Sequence, residues 1–129
     1  MNPTVISFMR KAYECLDEAR ILRDNDKPAG TCTRAYYAYS DAVRALLATK
    51  GIHTKFHSGA HNLFGLHFVK SGLFHASDGK ALVELFEMRQ DSDYEADEIA
   101  TNDDADRALD LATEFLLQAE AYLRQNNFA

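Results

Sequence analysis

Apolar residues in this chain recur at intervals of three and four and nowhere settle into alternation with polar ones. That pattern most narrows the possible folds, because an α-helix repeats every 3.6 residues and a half-buried strand every two. Over residues 4–24, Val5, Phe8, Ala12, Leu16, Ala19 and Leu22 make one stripe, with Arg10, Lys11, Glu14, Asp17 and Glu18 largely off it. Asn25-Asp26-Lys27-Pro28 breaks the pattern, and Asn25 or Asp26 is expected to cap a second helix that carries Pro28 in its first turn. The second helix is predicted over residues 28–50, with Gly51 as its left-handed terminator. On a helical wheel Cys32, Ala35, Tyr36, Tyr39, Ala42, Val43, Leu46 and Leu47 fill one broad sector, which predicts a central helix. Arg34, Tyr37, Asp41 and Arg44 share the opposite sector, either a solvated face or the wall of a polar cleft.

Residues 51–58 read as a loop, with Ser58 as the cap of a short helix over 59–70 ended by Gly72. The run Leu63-Phe64-Gly65-Leu66-His67-Phe68-Val69 is apolar nearly all round, which suggests burial on several sides and an oligomer contact here or on the neighbouring helix. A fourth helix is predicted from Ser77 or Asp78 to about Asp93, with Leu82, Leu85, Phe86 and Arg89 on one stripe. The acidic stretch Asp91 to Asp104 lacks a core pattern and reads as a loop. Thr101 is expected to cap the last helix, with Asp104 in its first turn. That helix continues through Ala108, Leu111, Phe115, Ala119, Tyr122 and Leu123. The expectation is an all-α, up-and-down bundle of four to five helices, forming a single domain over residues 1–129.

Charge limits the partners. Residues 1–56 hold nine Lys/Arg against six Asp/Glu, whereas residues 57–129 hold five against fourteen. Phosphate backbones are bound by neutralising Lys and Arg, so any nucleic-acid contact is expected to use the amino-terminal half. There is no run of about 18 apolar residues and no signal-peptide pattern, which predicts a cytoplasmic protein with no membrane contact. Cys15 and Cys32 both fall at apolar helix positions and read as reduced, buried thiols.

Arg89 is the most informative single residue. It continues the Leu82–Phe86 stripe, where a core side chain belongs, and a guanidinium there needs a partner. Asp93 and Asp41 are the candidate counter-charges for a structural ion pair. The alternative is an anion clamp, since the planar guanidinium fork fits a phosphate. Tyr94 follows, either as a core or cap residue or as a phenol lending a hydrogen bond to a phosphate. Of the five histidines between positions 53 and 75, His57 and His61 are four apart, a spacing used by helical metal ligands. Ser58 as the cap would leave His57 outside the helix, and no Glu stands between them as in His-Glu-x-x-His. No metal site is therefore expected, and His57 is read as a hydrogen-bonding residue at the loop-to-helix joint. His67 and His75 are read as surface or interface residues. No phosphate-binding glycine loop or Gly-x-Ser-x-Gly elbow is present, and no cofactor is expected.

Several segments together resemble a family. Arg34-Ala35-Tyr36-Tyr37-Ala38-Tyr39 is followed by Arg44-Ala45-Leu46-Leu47, Lys50-Gly51 and His57-Ser58-Gly59. The run from Leu63 to Gly72 and the segment Phe86-Glu87-Met88-Arg89-Gln90-Asp91-Ser92-Asp93-Tyr94 complete the series. In order and spacing the chain resembles a small, stand-alone prokaryotic HEPN (higher eukaryotes and prokaryotes nucleotide-binding) protein over about residues 5–125. The resemblance implies a helical bundle that pairs as a homodimer, and a partnership with a minimal nucleotidyltransferase in a toxin–antitoxin-like pair. It also implies nucleotide or RNA binding, here through Arg34, Tyr37, Asp41, His57, Arg89, Asp93 and Tyr94. Active members of the family are metal-independent ribonucleases with an Arg, four to six residues, then a His. The Arg matches at Arg89, but the His positions hold Tyr94, Glu95 and Ala96. A phenol titrates near 10, which makes Tyr94 a poor base at neutral pH.

Overall fold

The computed structural model describes the backbone of residues 2–94 and 100–128, and the side chains of 2–90 and 100–128. It contains α1 (Pro3–Asp24), α2 (Pro28–Ala48), α3 (His57–Phe64), α4 (Ala76–Tyr94) and α5 (Asn102–Gln125), with no strand among the described residues. The all-α bundle expected from the periodicity is what forms. No described helix is long and apolar enough to cross a membrane.

Helix α2 is central, as its wide apolar sector requires: it packs against α1, α3, α4 and α5. Its buried residues include Tyr36 and Tyr39, both essentially inaccessible. Tyr39 stacks on Phe115 of α5 with ring centres 3.9 Å apart and planes 7° from parallel. Its hydroxyl donates to the Asp78 carbonyl at the start of α4. Phe64, Phe68, Phe74 and Phe115 fill the adjoining volume with ring centres 5.7–5.9 Å apart. Small residues on α5 (Ala105, Ala108, Ala112 and Ala119) let that helix approach closely. Cys15 and Cys32 are free and buried, and burial pushes both thiols up.

Four local expectations are corrected. The acidic stretch from Asp91 to Asp104 is not a loop at its two ends, because α4 continues to Tyr94 and α5 begins at Asn102. Asn25 and Asp26 do not cap α2. Asn25 closes α1, its Nδ2 donating to the Ile21 carbonyl, while Asp26 takes a left-handed φ of 57° and pairs with Arg23. Lys27 then stands at the cap position of α2 without a side-chain bond. Ser58 is not the cap of α3 either, because the helix starts at His57. There the backbone N–H of Phe56 donates to Thr54 Oγ1, and Arg44 of α2 donates to the Thr54 carbonyl, so the loop is fixed from outside the helix. Finally, the segment predicted as one short helix over 59–70 changes at Gly65 into a π-helical turn through Val69. Phe64 and Phe68 are buried in it, but Leu66 is 53% exposed, so the run is not covered all round. Gly51 and Gly72, the expected terminators, do adopt φ of 71° and 83°.

Candidate functional site

Helices α2, α3 and α4 converge on one cluster. Helix α2 supplies the adjacent residues Tyr36 and Tyr37. Neighbours on a helix point about 100° apart, so Tyr36 turns into the core while Tyr37 stays partly exposed. Their rings meet edge-on at 5.3 Å. Helix α3 supplies His57 and His61, which face the same way because they are one turn apart. Helix α4 supplies Phe86 and Arg89, three apart on its inner stripe.

Phe86 forms a wall common to the others. Its ring centre lies 5.5 Å from that of Tyr36, 5.5 Å from that of His57 and 5.2 Å from that of His61. Against this wall the Tyr36 hydroxyl sits between two imidazoles, 2.7 Å from His57 Nδ1 and 3.2 Å from His61 Nε2. The Arg89 guanidinium carbon stands 5.4 Å from the Tyr37 ring centre and 5.9 Å from those of Tyr36 and Phe86. Arg34 approaches the same Tyr37 ring at 4.9 Å. Cation–ring contacts of this kind hold a guanidinium in place.

The electrostatics follow from this arrangement. His57 is held below the ordinary imidazole range, first by burial and then by the Arg89 and Arg44 charges. His61 is held down by burial, then by His57 and Arg44. Burial raises Tyr36, so its phenol stays protonated. At neutral pH the cluster therefore presents fixed positive charge from arginines and two uncharged imidazoles.

Of the residues singled out in the sequence, Arg34, Tyr37, His57 and Arg89 are brought together. Asp41 stands to one side, facing α1. Its Oδ2 is 3.9 Å from Cys15 Sγ, which Arg34 Nη1 also approaches at 4.0 Å. Burial raises the Asp41 carboxyl, opposed by Lys11, Arg44 and Arg34. The side chains of Asp93 and Tyr94 lie outside the described residues. His67 is half-buried and His75 exposed.

The sequence reading missed Tyr36, His61, Arg44 and Phe86. Tyr36 was placed in the core, which is correct for its ring but overlooks its hydroxyl. The four-residue spacing of His57 and His61 was the available signal, and starting the helix one residue before Ser58 would have put both on one face. No group of three or more His, Cys, Asp or Glu able to hold a metal occurs among the described residues. The space between the two imidazoles is taken by the Tyr36 hydroxyl.

The HEPN domain family model matches residues 6–122. A "UPF0332 protein" of Thermotoga maritima is 40% identical over 87 residues, which is 67% of this chain and 66% of that protein. A Methanocaldococcus jannaschii protein named "Putative toxin" is 32% identical over 88% of this chain and 84% of its own length. A second protein of that organism with the same description is 29% identical over 93% of this chain and 82% of its own length.

Proposed function

The chain belongs to the HEPN domain family, and on that footing we propose that it is a toxin-like protein that binds the phosphate of a nucleotide or of RNA at the Arg89–Tyr37–Arg34 cluster. One observation carries this reading: two guanidinium groups, from α2 and α4, approach the single partly exposed ring of Tyr37. The planar donors of arginine suit phosphate oxygens, and two of them on one ring make a fork of the kind that binds a phosphate. In this reading Arg89 and Arg34 clamp the phosphate, with Tyr37 as the platform that orients both. His57 offers a neutral hydrogen-bonding group, and Asp41 steadies Arg34 from behind. Asp93 and Tyr94, directly after Arg89, complete the proposed set.

The family resemblance and the toxin names of the relatives support two further parts of the proposal. The protein works as a homodimer, and it pairs with a minimal nucleotidyltransferase in a toxin–antitoxin-like unit. Leu66 in the π-helical turn and Val83 in α4, 53% and 42% exposed, are apolar surface that a second copy would cover.

Fluorescence anisotropy with an unstructured RNA oligonucleotide tests the binding. Arg89→Ala should weaken it by about tenfold or more. Affinity should also fall with added salt, as contacts to a few phosphates require. Equal binding by wild type and Arg89→Ala would remove the proposed clamp. Co-expression with a minimal nucleotidyltransferase, followed by size-exclusion chromatography with light scattering, tests the partnership and the dimer together.

A further inference from the structure

A separate hollow lies between α1 and α5, where the first half of one helix runs beside the last turns of the other. None of its lining residues belongs to the α2–α3–α4 cluster. We infer that this groove binds a small amphipathic carboxylate, with the apolar tail between the two helices and the acid at Arg124. The inference is independent of the phosphate-binding reading above.

The groove has a volume of about 270 Å³. Ile6 and Met9 of α1 form its walls and Leu123 of α5 its floor. Met9 and Leu123 are buried and Ile6 is half-buried, so the hollow is lined by apolar side chains that the fold itself does not close over. Removing such surface from water is favourable, and concave sites with mostly apolar walls and a few fixed polar groups are where small ligands bind. Drug-sized ligands use about 300–1,000 Å³, so this groove suits a smaller molecule with a short tail. The unbranched, polarisable side chain of Met9 can adjust to tails of different shape.

Three polar side chains at the mouth decide which head group fits. The Tyr13 hydroxyl of α1 donates to Glu120 Oε2, and Arg124 Nη2 donates to Glu120 Oε1 at 2.7 Å. Burial and the bond to Glu120 push the Tyr13 phenol up to about 12, so it keeps its proton. The same bond, helped by Arg124, holds the Glu120 carboxyl below its ordinary range, so it stays ionised. Both Glu120 oxygens are therefore engaged within the chain, and the charge is matched by Arg124. A guanidinium has five N–H donors, and Glu120 takes up only one of the Arg124 nitrogens. The Arg124 side chain is 70% exposed and lines the groove, so its other donors are within reach of a ligand. The Arg20 charge also bears on this spot, as its pull on Tyr13 records. A ligand amine would meet a carboxylate already bonded and neutralised. A ligand carboxylate would meet a planar donor edge held in place by Glu120.

The test titrates sodium octanoate into the full chain labelled with ¹³C at its methionine methyl groups. Met9 lines the groove and Met88 lies on α4, so one spectrum reports the site and a control position. Octanoate should shift the Met9 signal saturably, with a Kd of about 0.1–3 mM, and leave Met88 in place. Octylamine has the same tail with the opposite charge, and acetate has the acid without the tail. Each should bind at least about fivefold more weakly. Arg124→Gln, at an exposed position, should weaken octanoate by about threefold to tenfold and bring octanol and octanoate closer in affinity. Arg124→Lys keeps the charge without the fork and should recover part of the loss. Circular dichroism checks that both variants fold, and the comparison of octanoate with octylamine on the wild-type chain stands without them. No saturable Met9 shift up to about 20 mM octanoate would overturn the site. A Met88 shift equal to that of Met9 would overturn its place in the fold. Octylamine binding as tightly as octanoate, or Arg124→Gln binding octanoate as wild type does, would overturn the carboxylate. RNA affinity enters none of these readouts, so their failure leaves the phosphate-binding reading where it stands.

Discussion

Arg89 and Tyr37 meet across two helices, the guanidinium carbon of one 5.4 Å from the ring centre of the other. A leucine at position 37 would fill similar volume but offer no π face. Contacts of this type contribute about 0.5–2 kcal/mol. Tyr37→Leu should therefore weaken binding of an RNA oligonucleotide by about twofold to thirtyfold. Tyr37→Phe keeps the face and should bind nearly as wild type. Anisotropy titrations at one fixed salt concentration separate the two outcomes. Equal loss in both variants would assign the effect to the hydroxyl instead.

Folding should depend most on the seam between α2 and α5. Phe115 is 1% exposed and stacks on Tyr39. Truncating it leaves a void bordered by Phe64 and Phe74, so Phe115→Ala should cost about 3–5 kcal/mol in urea denaturation. Tyr39→Phe retains the stack but deprives the Asp78 carbonyl of its donor, and a cost of about 1–2 kcal/mol is expected.

Stability should fall on mild acidification. His57 and His61 are both held below the ordinary imidazole range when folded, mainly by burial. The unfolded chain thus takes up protons near pH 6.5 that the folded chain refuses, so their contribution is intact above that value and declines as pH drops through it. Asp41 has the opposite sign. Its carboxyl is raised by burial, so on further acidification the folded chain gains its proton first and the slope eases. Denaturation midpoints measured from pH 8 to 5 should show the decline, and His61→Gln should flatten it. A midpoint independent of pH over that range would mean the imidazoles are not shielded.

Much of the scaffold was legible because its signals are local. The three-and-four spacing located every helix. Thr101 caps α5 as expected, and the first-turn Asp104 makes the cap reciprocal, each side chain accepting from the other's backbone N–H at 3.1 and 3.0 Å. Thr101→Ala should accordingly cost about 1 kcal/mol, read as a drop in thermal midpoint. Arg89 stood out because a charge on an apolar stripe needs a reason. The missed features rest on contacts distant in sequence. Tyr36 meets His57 and His61 across separations of 21 and 25 residues. The start of α3 was misplaced because Ser58 has the better capping propensity, while Arg44 and Thr54 set the boundary through the loop. A wheel diagram records neither the hydroxyl of a buried tyrosine nor an arginine reaching back from the preceding helix.

Gly59 gives the sharpest check on that loop. A β-carbon placed there would lie 2.6 Å from Thr54 Oγ1, well inside contact distance. Thr54 Oγ1 is also the acceptor for the Phe56 N–H, at the residue before His57. In an open helix, Gly→Ala is favourable by up to about 1 kcal/mol through helix propensity. Here the new methyl must displace the Thr54 side chain, break its bond to Phe56 and disturb the first turn that carries His57. Gly59→Ala should therefore destabilise the protein by about 1 kcal/mol and weaken whatever function depends on His57. Thr54→Ala removes the obstructing oxygen, and in that background Gly59→Ala should become neutral or stabilising. The coupling between the two substitutions, measured as a double-mutant cycle in urea, should thus be favourable and of order 1 kcal/mol. Simple additivity would show that Thr54 does not hold the start of α3.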